Sequence, residues 1–468
     1  MAGGLSRFMG AQDMTVGSPV KKLIQFAIPL LIGNLAQQLY NTVDSIVVGQ
    51  YVGDNALAAV GASGPMINLL LVLFVGISTG AGVMTAQYFG AKRRQELSNT
   101  VGTTVTMTML VSLAVMVAGP LLVPPFLRMV GTPAEIFDMT SSYMTIYFLG
   151  IAGMAYYNII AGMLRGMGDA VMPLAFLIVA CGLNIVLDIL FVAQFDMGVS
   201  GVALATIIAQ FVSAFLCLRR LTRMKDVLDL NFHTLKPHMD LAKDLVKLGL
   251  PSGLSQAIFS MAAIVVQSLT NSFGAMVIAV NTVVMRVDGF AMMPNFTFGN
   301  AMTTYTGQNM GAGRVDRVQE GVRDGLKLVL AVSAALVAAI LLLGGPLMRL
   351  FTETPEVVAL GQKMMRILAV GYVAMAVNQT LSGVMRGAGD TMTPMWISMI
   401  TTVVIRVPLA YGIAALTHSP TSLFISLLIS WCMGAALTVL AYKKGKWRAK
   451  AVVRPSAGAG GQTRVGKG

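Results

Sequence analysis

Asn184 and Asp188 lie in the stretch ACGLNIVLDILFV, Ala180 to Val192, which otherwise reads as lipid-soluble helix. An amide and a carboxylate at i and i+4 share one helix face, one turn apart. A carboxylate at bilayer depth costs about 2.5–3.5 kcal/mol even on forgiving insertion scales, so its default reading is a functional group facing a protected cavity. Asp44, after the apolar run in LYNTVDSIVVG, and Thr206, in GVALATIIAQ, are two further polar groups that would share such a cavity. Two carboxylates near one another in low dielectric cannot both ionise cheaply, which suits Asp44 and Asp188 to carrying a proton. Na⁺ would instead find oxygen ligands in the two carboxylates, the Asn184 carbonyl and the Thr206 hydroxyl. The residues leave both ions open.

The elements that must position these groups are membrane helices. The chain has 468 residues, 56% hydrophobic and 11% charged, with a mean hydropathy of +0.74. A soluble globule carries about 25% charged residues, so this is an integral membrane protein. Apolar runs of about 20 residues recur along nearly the whole length, each long enough to cross a ~30 Å hydrocarbon core as a helix. The net charge of +13 does not read as a nucleic-acid surface, because the basic residues cluster at helix ends and in short loops. Cys181, Cys217 and Cys432 sit in apolar runs with no metal spacing and imply no disulfides. His233, His238 and His418 fall in predicted loops and no HExxH occurs, so no enzyme and no cofactor are expected.

The lead MAGGLSRFMGAQDMTVGSPVKK has no h-region and no small-residue cleavage site, so no removable signal peptide is expected. A first span follows from about Leu23 to Val48. Gln37, Asn41 and Asp44, with Tyr40 beside them, follow the spacing of one helix face and predict a wet stripe turned inward. Pro29 removes one helical hydrogen bond and predicts a bend, a candidate hinge. Further spans read approximately 57–88, 99–123, 141–164, 172–193, 199–219, 245–270, 277–308, 321–345, 362–385, 393–416 and 421–442. The chain then divides into a lead (1–22), a first half (23–219), a polar connection (220–244), a second half (245–443) and a basic tail (444–468) expected to be disordered from Arg454. In an even-span topology Arg7, Lys21, Lys22, Lys92, Arg93, Arg94, the central connection, Arg314, Arg317 and the Lys443–Lys450 cluster all fall on one side, outnumbering the exceptions Arg128, Arg349 and Lys363. That side, with both termini, is expected to be cytoplasmic, in a prokaryotic inner membrane.

An internal repeat orders the spans. GMLRGMGDAVMP, Gly162 to Pro173, matches GVMRGAGDTMTP, Gly383 to Pro394, at Arg, Gly, Gly, Asp and Pro, a displacement of 386 − 165 = 221. The same displacement pairs YFGAKR at Tyr88 with NMGAGR at Asn309, and Pro29 nearly pairs with Pro251. The halves are therefore parallel repeats of about six spans, an arrangement in which transporters place a cavity between the halves and alternate its exposure. Within each turn, Arg165 with Asp169 and Arg386 with Asp390 are spaced to pair as clamps at the membrane surface.

The two six-span halves, the repeated RGxGD-x3-P loops, GQNMGAGR at Gly307 to Arg314 and RVDGFAMMP at Arg286 to Pro294 resemble the multidrug and toxic compound extrusion (MATE) family, with features like its DinF branch. The resemblance implies an all-α V-shaped pair of six-helix lobes that exports organic cations or other amphipathic compounds in exchange for H⁺ or Na⁺. It implies a cation-coupling site at Asp44, Asn184, Asp188 and Thr206, which is also where Na⁺ would bind, and a bending first helix at Pro29. It further places Gln37 and Tyr40 in the substrate cavity, and Asn41, Tyr157 and Asn158 are taken as candidates with them. The spans LSQAIFSMAAIVVQSLTNSF and MRILAVGYVAMAVNQTLSGV lack the acidic ligands that some members carry in their seventh and tenth helices. Asp288 is the remaining acid of the second half, with Arg286 nearby as its expected partner. The reading is a multidrug antiporter, working as a monomer on small amphipathic substrates. A lipid-linked oligosaccharide or metabolite flippase of related fold is the alternative.

Overall fold

A computed structural model describes residues 11–349 and 353–453. The tail from Arg454 and Arg7 of the lead lie outside them. Among the described residues there is no strand, as a bilayer requires of spans that must satisfy their backbone internally. Twelve membrane-length elements follow in order: α1 Pro19–Val52, α2 Asp54–Gly90, α3 Arg94–Met129, α4 Ala134–Leu149 with Ile151–Gly166, α5 Val171–Gln194 and α6 Gly198–Arg223. The second set is α7 Met239–Ser272, α8 Ala275–Gly311, α9 Val315–Arg349, α10 Pro355–Gly387, α11 Met392–Thr417 and α12 Ser422–Lys443.

Two details depart from simple rods. α4 is bent by 51° at Gly150, where an added Cβ would lie 2.3 Å from the Ile207 side chain, so the glycine lets α6 press into the break. α1, α5 and α11 widen to π-helix at Val48–Val52, Leu190–Gln194 and Ile400–Arg406. Pro29, expected to bend α1, stays within unbroken helix. α7 begins at Met239, earlier than its apolar run, because a helix need not stop where the hydrocarbon does and Asp240, Lys243, Asp244 and Lys247 can lie beyond it. The chain joining α6 to α7 docks on α3: Asp229 N–H donates to Ser98 Oγ at 2.8 Å and Thr106 Oγ1 donates to the Leu235 carbonyl at 2.7 Å.

The twelve helices form two six-helix lobes, α1–α6 and α7–α12, which meet along α2 with α7 and α8. Small residues permit that approach: a Cβ at Gly76 would fall 2.7 Å from Gly249 and Gly253 backbone, and one at Gly80 2.8 Å from Gly249 N. At the end bearing both termini the contact is closed by a reciprocal pair. Gln87 Nε2 donates to the Gly387 carbonyl at 2.9 Å, and Gln308 Nε2 donates to the Gly166 carbonyl at 3.1 Å. Donors and acceptors both obey the 221-residue displacement. Each glutamine oxygen also holds a terminal segment: Gln87 Oε1 accepts from Val452 N–H at 2.7 Å, and Gln308 Oε1 accepts from Met14 N–H at 2.8 Å. Away from this end the lobes part around a cleft of about 1030 Å³ between α1, α2, α7 and α8, completing the V.

Candidate functional site

The first lobe holds a second, separate cavity of about 630 Å³, and α1 is the wall between it and the cleft. Asn34, Gln37, Tyr40 and Asp44 face the lobe cavity, Gln38, Thr42 and Ser45 face the cleft, and Asn41 borders both. That division is the 3–4 spacing of the polar stripe made physical, because residues one turn apart share a face. Tyr157 and Asn158 of α4 and Thr206 of α6 complete the side opposite α1. All five candidate substrate-cavity residues therefore line one space. Asn34 Nδ2 donates to Thr297 Oγ1 at 3.0 Å, tying this wall to α8 of the other lobe.

The cation-site candidates converge at the end of the cavity remote from the termini. Asp44 and Thr206 touch the cavity, whereas Asn184 and Asp188 are fully buried behind them. The Asp44 and Asp188 carboxyl groups lie within hydrogen-bonding reach of each other, and Tyr40 lies within reach of the Thr206 hydroxyl. Asn184 joins the rest. Its amide is satisfied at both ends with Nδ2 donating to Asp188 Oδ2 at 2.9 Å and Oδ1 accepting from the Thr206 N–H at 3.1 Å; turned over, Nδ2 faces Thr206 Oγ1 at 3.4 Å. Thr206 Oγ1 in turn donates to the Val202 carbonyl at 3.0 Å. Asp44 Oδ1 and Asp188 Oδ1 are buried and meet no donor among the described residues, as oxygens of two acids do until a proton lies between them. Two acids in contact can share a proton, and Asp44, which reaches the cavity, can meet a cationic ligand there. With its nitrogen toward Asp188 the Asn184 amide supports the acid pair, and turned over it presents its carbonyl to the same place, so the site offers groups to either a proton or a metal cation.

Several cavity residues carried no signal strong enough to be picked out. Tyr143 and Tyr147 stack with centroids 6.2 Å apart beside the acids, and their i, i+4 spacing on α4 was the available clue. Gln210 stands one turn after Thr206, and Asn300 enters from α8, which no local pattern marks. Arg165 lines the cavity near the opposite end. Its expected partner Asp169 is engaged instead by Arg220, whose Nε and Nη2 both lie 2.9 Å from Asp169 Oδ2. The clamp is thus made by α6, because the turn directs Asp169 Oδ1 back to the Met172 N–H at 3.1 Å and leaves Oδ2 to face Arg220. Asp288 also departs from expectation. Arg286 is exposed in the cleft, one helix face away, and the groups that face Asp288 are Tyr372 of α10 and Arg406 of α11.

The family model MatE matches the chain twice, at residues 29–190 and 251–412, one match in each lobe. "Probable multidrug resistance protein YoeA" of Bacillus subtilis is 28% identical over 440 residues, covering 92% of this chain and 94% of its own length. The crystal structure of a MATE protein in complex with MaL6 superposes with a TM-score of 0.87 at 25% identity, covering 94% of this chain and 98% of that one. A structure titled as the outward-facing conformation of a multidrug resistance MATE family transporter of the MOP superfamily superposes with a TM-score of 0.86 at 25% identity and the same coverage.

Proposed function

The chain belongs to the MatE family of multidrug and toxic compound extrusion transporters, and from that premise we propose that it is a secondary active multidrug exporter, exchanging amphipathic organic cations for H⁺ through the acids of its first lobe. The observation that carries this reading is the contact between Asp44 and Asp188 inside an apolar helical bundle, where an oxygen of each acid meets no donor among the described residues. Asp44 reaches the cavity and Asp188 lies behind it, so a proton arriving through the cavity meets Asp44 first. The charged pair attracts a cationic drug; protonation neutralises it and removes that attraction. A ligand shifts a conformational equilibrium only through unequal affinity for its two states, so the proton must also favour one position of α1 over the other. α1 is suited to that role because one helix separates drug cavity from cleft. Pro29, lining the cavity without an N–H to donate, is the point where α1 gives way most easily.

In this reading both termini are cytoplasmic, in a bacterial inner membrane, because the basic loops gather at their end of the molecule. The 1030 Å³ cleft then opens to the outside, and the glutamine pair closes the cytoplasmic end. The test is ethidium transport in proteoliposomes with a pH gradient and a Na⁺ gradient imposed separately, for wild type and Asp188→Asn. A proton gradient should drive efflux in the wild type and fail in the variant. Efflux driven by Na⁺ alone would replace the coupling ion. No drug movement under either gradient by folded protein would reject drug export in favour of lipid-linked or metabolite substrates.

A further inference from the structure

Arg165 stands in the last turn of α4 as the arginine of the RGxGD motif, and Asp169 is bound by Arg220. The guanidinium of Arg165 makes no ion pair and no hydrogen bond among the described residues. Tyr157 and Cys217, the side chains that feel its charge most directly, are a neutral phenol and thiol. Tyr157 moreover directs its hydroxyl to the Pro173 carbonyl at 3.4 Å. Protein surrounds Arg165, yet its side chain keeps intermediate solvent exposure, and the space it borders is the 630 Å³ cavity. A guanidinium held inside a bundle without a counter-charge is unfavourable, and buried charges are normally paired.

Among the described residues that line that cavity the one carboxylate is Asp44, on the other side of the bundle's length from Arg165. Asp188, beside Asp44, is 17 residues along α5 from Val171, which starts level with the RGxGD turn, a rise of about 25 Å. Side chains on α4 and α5 lean toward each helix's N-terminus, so Arg165 and Asp188 reach toward one another and shorten the gap. The cavity is therefore bipolar along its length, acidic at one end and cationic at the other, with apolar walls at Leu174 and Leu177 between them. Guanidinium binds a carboxylate through two parallel N–H···O contacts, a geometry that neither Lys nor a neutral amide reproduces.

We propose that Arg165 is a specificity-determining residue that binds the carboxylate of amphipathic substrates carrying both a cationic and an acidic group. This rests on the drug-export reading and adds a second polarity to its cavity. The apolar body of such a substrate lies along α5, and its cationic end points toward Asp44. Arg386, the equivalent residue of the second repeat, lines neither this cavity nor the cleft and serves as the control.

The test uses the full chain in lipid nanodiscs and two dyes that differ by one methyl group, tetramethylrhodamine with its free carboxylate and tetramethylrhodamine methyl ester, with binding followed by fluorescence anisotropy. Wild type should bind the acid about tenfold or more tightly than the ester, the range of a hydrogen bond to a charged group. Arg165→Gln should erase that preference by weakening binding of the acid. Arg165→Lys, which keeps the charge and guards against loss of folding, should retain only part of it, and Arg386→Gln should retain all of it. Equal affinity of wild type for both dyes, or an unchanged preference in folded Arg165→Gln and Arg165→Lys, would overturn the assignment. Failure of wild type to bind either dye would instead remove the drug-export reading, and this assignment with it.

Discussion

At the positions equivalent to Asn184, Asp188 and Thr206 the second lobe carries Ile405, Leu409 and Leu427. Its own intramembrane acid, Asp288, faces the opposite charge of Arg406 without forming an ion pair, and Asp288 Oδ1 and Arg406 Nε have no hydrogen-bond partner among the described residues. The first lobe leaves its acids in contact with each other and open to a cavity. At the rim the two halves remain alike, and Gln87 and Gln308 make the same bond to the same glycine of the opposite RGxGD loop. Symmetry has thus been kept where helices must approach closely and dropped around the acids of the first lobe. In the proposed function one lobe binds and titrates, and the other packs.

The largest expected effect tests that division directly. Asp188→Asn should abolish the dependence of drug efflux on the proton gradient, a loss of about 5–150-fold if the coupling is of ordinary size. Asp288→Asn should do something different. It removes the acid that Arg406 faces without an ion pair, which costs about 1 kcal/mol of stability, while the folded protein still couples. Adding Arg406→Gln should restore much of that stability. Thermal unfolding and gradient-driven efflux on the same preparations separate the outcomes, and gradient dependence lost equally in Asp188→Asn and Asp288→Asn would end the claim that the lobes divide their labour.

The symmetric rim makes the next expectation. Gln87→Ala and Gln308→Ala each remove a buried side chain that serves a glycine carbonyl and a terminal N–H, a loss of about 1–3 kcal/mol from the state in which the cleft is open. The balance between open and closed cleft should shift by about 5–150-fold, to the same extent for both variants. Distances between spin labels on α2 and α8 near the termini report that shift. A large effect of one glutamine and none of the other would show that the rim, too, has diverged.

Much of this was legible in the chain itself. The spans follow from apolar length, the duplication from two RGxGD loops at one displacement, and the face of α1 from the 3–4 spacing of Gln37, Tyr40, Asn41 and Asp44. Asp188 announced itself because a carboxylate in ACGLNIVLDILFV is too costly to be idle. What remained hidden depends on partners distant in sequence. Asn300 reaches the cavity from the other lobe, and Gln87 finds Gly387 300 residues away. Pairing read from neighbours in sequence failed three times, at Arg165 with Asp169, at Arg386 with Asp390 and at Arg286 with Asp288. At the first and the last a residue on another helix, Arg220 or Arg406, faces the acid, and at the second Asp390 turns both oxygens to Thr393.

The RGxGD loops supply the finest form of the comparison, because they are identical at the aligned motif positions and differ in what receives the aspartate. Asp169 Oδ1 accepts from the Met172 N–H at 3.1 Å, and Asp390 Oδ1 accepts from the Thr393 N–H at 3.3 Å, the same turn twice. The other oxygen separates them. Asp169 Oδ2 takes both contacts from Arg220, whereas the equivalent of Arg220 in the second lobe is Ala441, and Asp390 Oδ2 accepts from Thr393 Oγ1 at 2.8 Å. A neutral hydroxyl is a weaker partner than a guanidinium, and Arg220 is partly open to water, which screens the ion pair. Asp169→Asn should therefore cost about 1 kcal/mol more than Asp390→Asn, seen as a lower unfolding midpoint with transport unchanged in both. In Arg220→Gln the excess cost of Asp169→Asn should vanish, since the charged contact that distinguishes the loops is then absent from both. If Asp390→Asn proves the more damaging, the loop is held by the turn it closes and not by the arginine it meets.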